Sequence, residues 1–120
     1  MASPQVHDTG RRGERLALRF AETLGWQNGM TNVKIGRYEA DVVCYRTDSL
    51  GTRGLLLEVK SSRDREVQPE RLAPRQLQRL WRMAEILCAQ KQLASIEVVL
   101  VLVALDGQSE HIRWLPLETF

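Results

Sequence analysis

A carboxylate and an ammonium, Glu58 and Lys60, stand two residues apart in the run Gly54-Leu55-Leu56-Leu57-Glu58-Val59-Lys60. Apolar residues on both faces of a short run read as a strand deep in a sheet, covered on both sides. Side chains alternate along a strand, so Glu58 and Lys60 share a face, about 7 Å apart along it. Upstream, Tyr38-Glu39-Ala40-Asp41-Val42-Val43-Cys44-Tyr45 reads as a second strand, with Glu39 and Asp41 on one face. Charges in buried strands cost free energy unless they are paired or bound to a metal. Two neighbouring strands that both break this rule point to a site.

The elements that must position these residues can be read in chain order. Residues 1–9 read as a flexible arm and residues 10–120 as one domain. A helix should start near Thr9 or Gly10 and run to Leu24, with Gly25 as its stop. Leu16, Ala17, Phe20, Ala21 and Leu24 form its buried stripe, and Arg11, Arg15 and Arg19 lie on another face. Glu14 falls at the border of the buried face, where an anion in the first helical turn would also be favourable. Residues 26–31 read as a turn and residues 32–35 as a short strand, which Gly36 turns into the second strand as a hairpin. Residues 47–53 read as a link to the central strand. Residues 61–73, polar, charged and interrupted by Pro69, read as a mobile loop.

Pro74 opens a second helix at a position that suits proline. Leu77, Leu80, Trp81, Ala84, Leu87 and Cys88 give it the strongest helical periodicity in the chain. Arg75, Arg79 and Arg82 form a basic ridge on another face, which simple solvation would also explain. Residues 96–105 are an almost continuous apolar run and read as a buried strand. Asp106-Gly107 marks a turn into a final strand at residues 111–115. The order α-β-β-β-α-β-β predicts an α/β fold with a central mixed sheet of about five strands. The first three strands should form a meander, and the second helix should cross over to a parallel strand.

At 120 residues the chain is long enough for one real core and too short for two. Its longest apolar runs fall far short of the roughly 20 residues that span a membrane. The first eight residues lack the pattern of a signal peptide, so a cytoplasmic location is the default expectation. Cys44 and Cys88 lie in apolar segments, make no disulfide framework and have no zinc-ligand neighbours. The net charge of +2 hides an asymmetry, +5 over residues 1–91 and −3 over residues 92–120. Arg outnumbers Lys by 14 to 3, which suits bidentate contact with phosphate, although a GC-rich genome would give the same bias.

Gly10-Arg11-Arg12-Gly13-Glu14, Gly36-Arg37-Tyr38-Glu39-Ala40-Asp41 and Glu58-Val59-Lys60, in this order and spacing, resemble the YraN-like family of small bacterial proteins. The resemblance covers roughly residues 10–115 and includes the closing Glu110-His111-Ile112. It implies a restriction-endonuclease-like fold, akin to Holliday-junction resolvases and to the D…E-x-K nucleases. It further implies that Asp41 and Glu58 are metal ligands, with the Val59 carbonyl completing the protein side. Lys60 would orient or activate the attacking water, and Glu14 would support the site from the first helix. Glu39 occupies the family's acidic position two before the aspartate. The chain departs from the pattern at Gln76, where a lysine is usual, and at Ser62, where the family favours an arginine that here comes one step later as Arg63. Ala73 stands where a Ser or Thr helix cap is common.

The chemistry of the residues agrees with that implication. Hard oxygen ligands without a thiolate pair suit Mg²⁺ or Mn²⁺. Two carboxylates about 5 Å apart repel by roughly 3 kcal/mol at an effective dielectric near 20, and a cation would offset this. The leading expectation is therefore a metal-dependent phosphodiesterase acting on DNA, on branched or irregular structures if the resemblance extends that far. Arg11, Arg15, Arg75, Gln76, Arg79 and Arg82 would contact the nucleic acid. The alternative is a non-catalytic nucleic-acid-binding module that keeps the nuclease scaffold. A third reading, an adaptor using the Trp81 and Trp114 surfaces, competes with a core role for both rings. Asp41 capping a turn beside a Glu58–Lys60 pair is the purely structural explanation. The oligomeric state stays open, a homodimer included.

Overall fold

Two strands carry apolar residues on both faces, and a strand of that kind has to be covered twice. The computed structural model describes residues 4–63, 72–107 and 109–120. Its elements are α1 (Pro4–Thr23), β1 (Gln27–Ile35), β2 (Tyr38–Asp48), β3 (Gly51–Ser62), α2 (Pro74–Lys91), β4 (Ser95–Asp106) and β5 (Ser109–Thr119). They make an α/β fold in the expected order around a five-stranded sheet with spatial order β1-β2-β3-β4-β5. β1, β2 and β3 form an antiparallel meander, β3 and β4 are parallel, and β4 and β5 are antiparallel.

The two helices cover opposite faces. Ala17 and Ala21 of α1 pack with Val42, Cys44, Leu55, Leu57, Val99, Val101 and Val103. Leu80, Met83, Ala84 and Leu87 of α2 pack with Ile35, Ala40, Val43, Leu56, Ile96 and Val98 on the other side. The alternation of Leu55, Leu56 and Leu57 between the two cores places β3 in the middle of both layers, as its sequence requires.

Several boundaries differ from the sequence reading, each for a local reason. α1 begins at Pro4, not at Thr9 or Gly10. Proline suits the first helical position, and no Gly or Pro interrupts residues 5–9. Leu24 is 46% exposed and does not belong to the buried stripe. Small residues, Gly13, Ala17 and Ala21, form its centre instead and let the helix lie close to the sheet. Past its end, Gly25 takes a left-handed φ of 96° and stops the helix as expected.

β1 begins at Gln27 inside the stretch read as a turn, with an irregular register between Gln27 and Met30. Residues 47–53 are not a link, because Thr47–Thr52 and Asp48–Gly51 are paired and β2 and β3 meet in a tight hairpin. Their polar side chains bond across it, the two threonine hydroxyls at 3.0 Å and Arg53 with Asp48 at 2.6 Å. Ser61 and Ser62 still belong to β3, and most of the expected loop, residues 64–71, lies outside the described residues. β5 runs on to Thr119 through Pro116, which a bulge on an edge strand tolerates.

Candidate functional site

β2 and β3 pair regularly from their hairpin as far as Val42–Leu57 and then separate. The cause lies in β2. Val42 and Cys44 belong to the α1-side core but Ala40 to the α2-side core, so strict alternation breaks at Asp41. Across on β1, between the pairs Thr31–Val42 and Val33–Ala40, Asn32 adopts a left-handed φ of 54°. Asparagine tolerates that conformation better than most residues. In the opening, the Val59 N–H donates to Asp41 Oδ2 at 2.7 Å, so a side-chain carboxylate takes the place of a ladder carbonyl.

Glu58 lies on the α2-facing side of β3, beside Leu100 of β4, with Lys60 beside Leu102. That apolar wall leaves Glu58 5% exposed, the one buried charged residue among those described. Its Oε1 receives two cations, Arg79 Nη2 of α2 at 3.1 Å and Lys60 Nζ at 3.6 Å. The Nε of Arg79 is buried without a partner among the described residues. Arg79, one of the three arginines of the expected basic ridge, bends inward and serves as a counter-ion of Glu58.

Glu14 reaches the same end of the sheet from α1. The adjacent Gly13 explains how, since a Cβ there would come within 1.7 Å of Ser61 Oγ. Glycine lets the helix rest directly on β3, and Glu14 then accepts a hydrogen bond from Asn32 Nδ2 at 3.1 Å. Because α1 starts at Pro4, Glu14 sits in mid-helix, and the favourable first-turn position does not account for it.

All three carboxyls are held above their ordinary pKa. Burial is the main cause for Asp41, opposed by the Val59 N–H, Lys60 and Arg79. For Glu58 burial comes first and the charge of Asp41 second, with Arg79 and Lys60 pulling the other way. For Glu14 burial and Asp41 raise the value, while Asn32 opposes them. Glu39 is exposed and acts at a distance, adding negative potential at Asp41 and Glu14.

Asp41, Glu58, Val59, Lys60 and Glu14 thus converge at one end of the sheet. The arginines do not form one stripe: Arg11 and Arg15 ride on α1, and Arg75, Arg79 and Arg82 on α2, across the sheet. Gln76 Oε1 accepts the Ala73 N–H at 2.9 Å and so caps α2, which supplies half of the cap that Ala73 cannot make. Sequence reasoning missed Asn32. Its only signal was a poor strand former inside a short strand.

Asp41 and Glu58 are hard oxygen donors, and burial is the main reason their pKa values are raised, so their charged forms would gain from a cation. That donor chemistry suits Mg²⁺ or Mn²⁺. Among the described residues no three His, Cys, Asp or Glu side chains group closely enough to hold an ion by themselves. An ion here would take two carboxylates and complete its shell with main-chain and solvent oxygens.

No helix among the described residues is long and apolar enough to cross a membrane. No curated protein matches the chain. The model of the uncharacterised protein family UPF0102 matches residues 13–101. The chain belongs to this family, which is the YraN-like family.

Proposed function

We propose that this member of the YraN-like family is a metal-dependent phosphodiesterase acting on DNA. The observation that carries the reading is the Asp41 carboxyl where β2 leaves β3, which together with burial raises the pKa of Glu14 and of Glu58 and is itself held down by Lys60. Asp41 and Glu58, with the Val59 carbonyl, would hold the divalent ion. When bound, such an ion lowers the pKa of its water and polarises a phosphate. The chain's own residues do the rest. The Val59 N–H fixes Asp41 in place, and the apolar wall of β4 excludes water from Glu58. Lys60, about a third exposed, presents its ammonium where a pentacoordinate phosphate gathers negative charge. Glu14, oriented by Asn32, adds negative potential beside Asp41.

A second reading keeps the binding and drops the chemistry. It is favoured by the double occupation of Glu58 Oε1 by Arg79 and Lys60, which already neutralises one of the two ligands. Gln76 and Ser62, in place of the family's usual cations, point the same way. Cleavage assays on duplex, flap, single-stranded and four-way DNA, with Mg²⁺ and with Mn²⁺, separate the two. Metal-dependent cutting of any of these that disappears in Asp41→Asn supports the enzyme. Tight binding with no cutting supports the module.

A further inference from the structure

A groove of about 680 Å³ runs between the β1–β2 turn and the outer side of α2. One rim carries Arg37 and Tyr38, the other Arg75, Arg79, Trp81 and Arg82. Its size falls in the range of roughly 300–1,000 Å³ that encloses a small organic ligand. Four guanidinium groups face one carboxylate in it, Glu85, which Arg82 approaches only to 4.0 Å. The groove therefore suits an anion. It also reaches Glu58 through Arg79, which lines the groove and donates to that carboxylate.

Charge alone would accept any polyanion; the aromatic rings narrow the choice. The Arg37 guanidinium stands over the Tyr38 ring, 5.3 Å from its centroid, and donates to its hydroxyl at 3.2 Å. Tyr38 is anchored on the α2-side core, and Trp81 is held edge-on against Phe120 with centroids 5.6 Å apart. Fixed rings among guanidinium groups are what unpaired nucleotides bind, with bases stacking on the ring faces and phosphates taking the charge. Bases in a duplex are stacked on one another and offer no free face. An acidic protein segment would use the arginines and leave the rings idle.

We infer that this groove takes an unpaired stretch of a nucleic acid strand. A base stacks on the Arg37–Tyr38 pair and against Trp81, its phosphates rest on Arg75 and Arg82, and Arg79 links the groove to Glu58. The inference names the substrate class of the proposed function, and it rests on that reading only for the cleavage that would follow binding.

The test is a titration of the full chain, in EDTA, with short oligothymidine and with blunt duplex of equal length. It follows the anisotropy of the labelled strand and the tryptophan emission of the protein. The single strand should bind at least about tenfold tighter and quench part of that emission. Trp81→Phe should keep the binding and lose the quench. Tyr38→Leu should weaken single-strand binding by roughly five- to 150-fold. Arg37 is exposed, so Arg37→Ala tests the same rim even if Tyr38→Leu fails to fold, and it should lose roughly two- to tenfold. Equal or tighter binding of duplex, no quench, or an unaffected Arg37→Ala would overturn the inference. No metal is present, so these results are independent of hydrolysis. Single-strand binding without cleavage in Mg²⁺ or Mn²⁺ would overturn the enzyme reading and leave the groove assignment intact.

Discussion

The β2–β3 ribbon carries a carboxylate–arginine pair near each of its ends, and the two are not equivalent. At the hairpin, Asp48 meets Arg53 at 2.6 Å with side chains 33% and 38% exposed, closing a regular ladder. At the other end Glu58 meets Arg79 at 3.1 Å, with Glu58 6% exposed and the ladder open beside it. Both side chains of the first pair are about a third exposed, so water competes for their charges and little is gained by making the pair or lost by breaking it. In the second, Glu58 has an apolar wall on one side and the Asp41 carboxyl nearby, and the Glu58 pKa is raised in consequence. Residue type does not distinguish the two ends. Removal of the carboxylate from water does.

The largest expected effect lies at the open end. Asp41→Asn and Lys60→Ala should each reduce metal-dependent hydrolysis at least about a hundredfold while far-ultraviolet dichroism stays unchanged. Asp48→Asn, at the hairpin, should leave the rate alone. Activity that survives both substitutions at the open end would remove the chemical difference between the two ends.

Stability sharpens the comparison next. Leu57→Ala in the middle of β3 should cost about 2–5 kcal/mol in urea titrations, because the fully buried side chain leaves a cavity. Glu58→Gln, one residue further on, should leave metal-free stability unchanged or raise it by about 1 kcal/mol. The reason is that Lys60 and Arg79 are each about a third exposed and can be solvated once the charge is gone. A large loss in Glu58→Gln would make the Glu58–Arg79 pair a structural ion pair, unlike the solvated pair at the hairpin.

Metal and pH probe the same charge from two directions. A divalent ion at about one hundred times its Kd should stabilise the wild type by about 2.7 kcal/mol, a Tm rise of roughly 8–15 °C. The folded pKa values of Glu14, Asp41 and Glu58 lie above their ordinary values. The stability these groups contribute is therefore fully present below the ordinary carboxylate range and is lost as pH rises through the raised values. Metal-free Tm should climb as pH is lowered from neutrality toward the ordinary carboxylate range, about 4. Asp41→Asn should flatten the climb. A Tm that falls over the same interval in the wild type would contradict the assignment.

The smallest effect belongs to the hairpin. Arg53→Ala should change stability by no more than about 1 kcal/mol, read from the same urea titrations. A larger loss would mean that the exposed pair matters more than its solvation allows.

The sequence by itself determined the order of elements, because each depends on a short-range pattern. The helical period from Leu77 to Cys88, proline at position 74, the doubly apolar runs of β3 and β4 and the Gly36 turn could be read without knowing any contact. It also brought Asp41, Glu58 and Lys60 forward, since charges among strand aliphatics are conspicuous wherever the strands pack. Only the tertiary structure decided how these charges are held. Asp41 meets Val59 because β2 leaves its ladder opposite a left-handed Asn32, and Glu14 arrives because Gly13 lets a helix settle on Ser61. Arg79 turns from an expected surface ridge to Glu58, more than twenty residues away along the chain, and Tyr38 and Trp81 reach one groove from different elements. Such meetings depend on strand twist and on the distance between layers, which arise from packing across the whole sheet and leave no periodic mark in the chain.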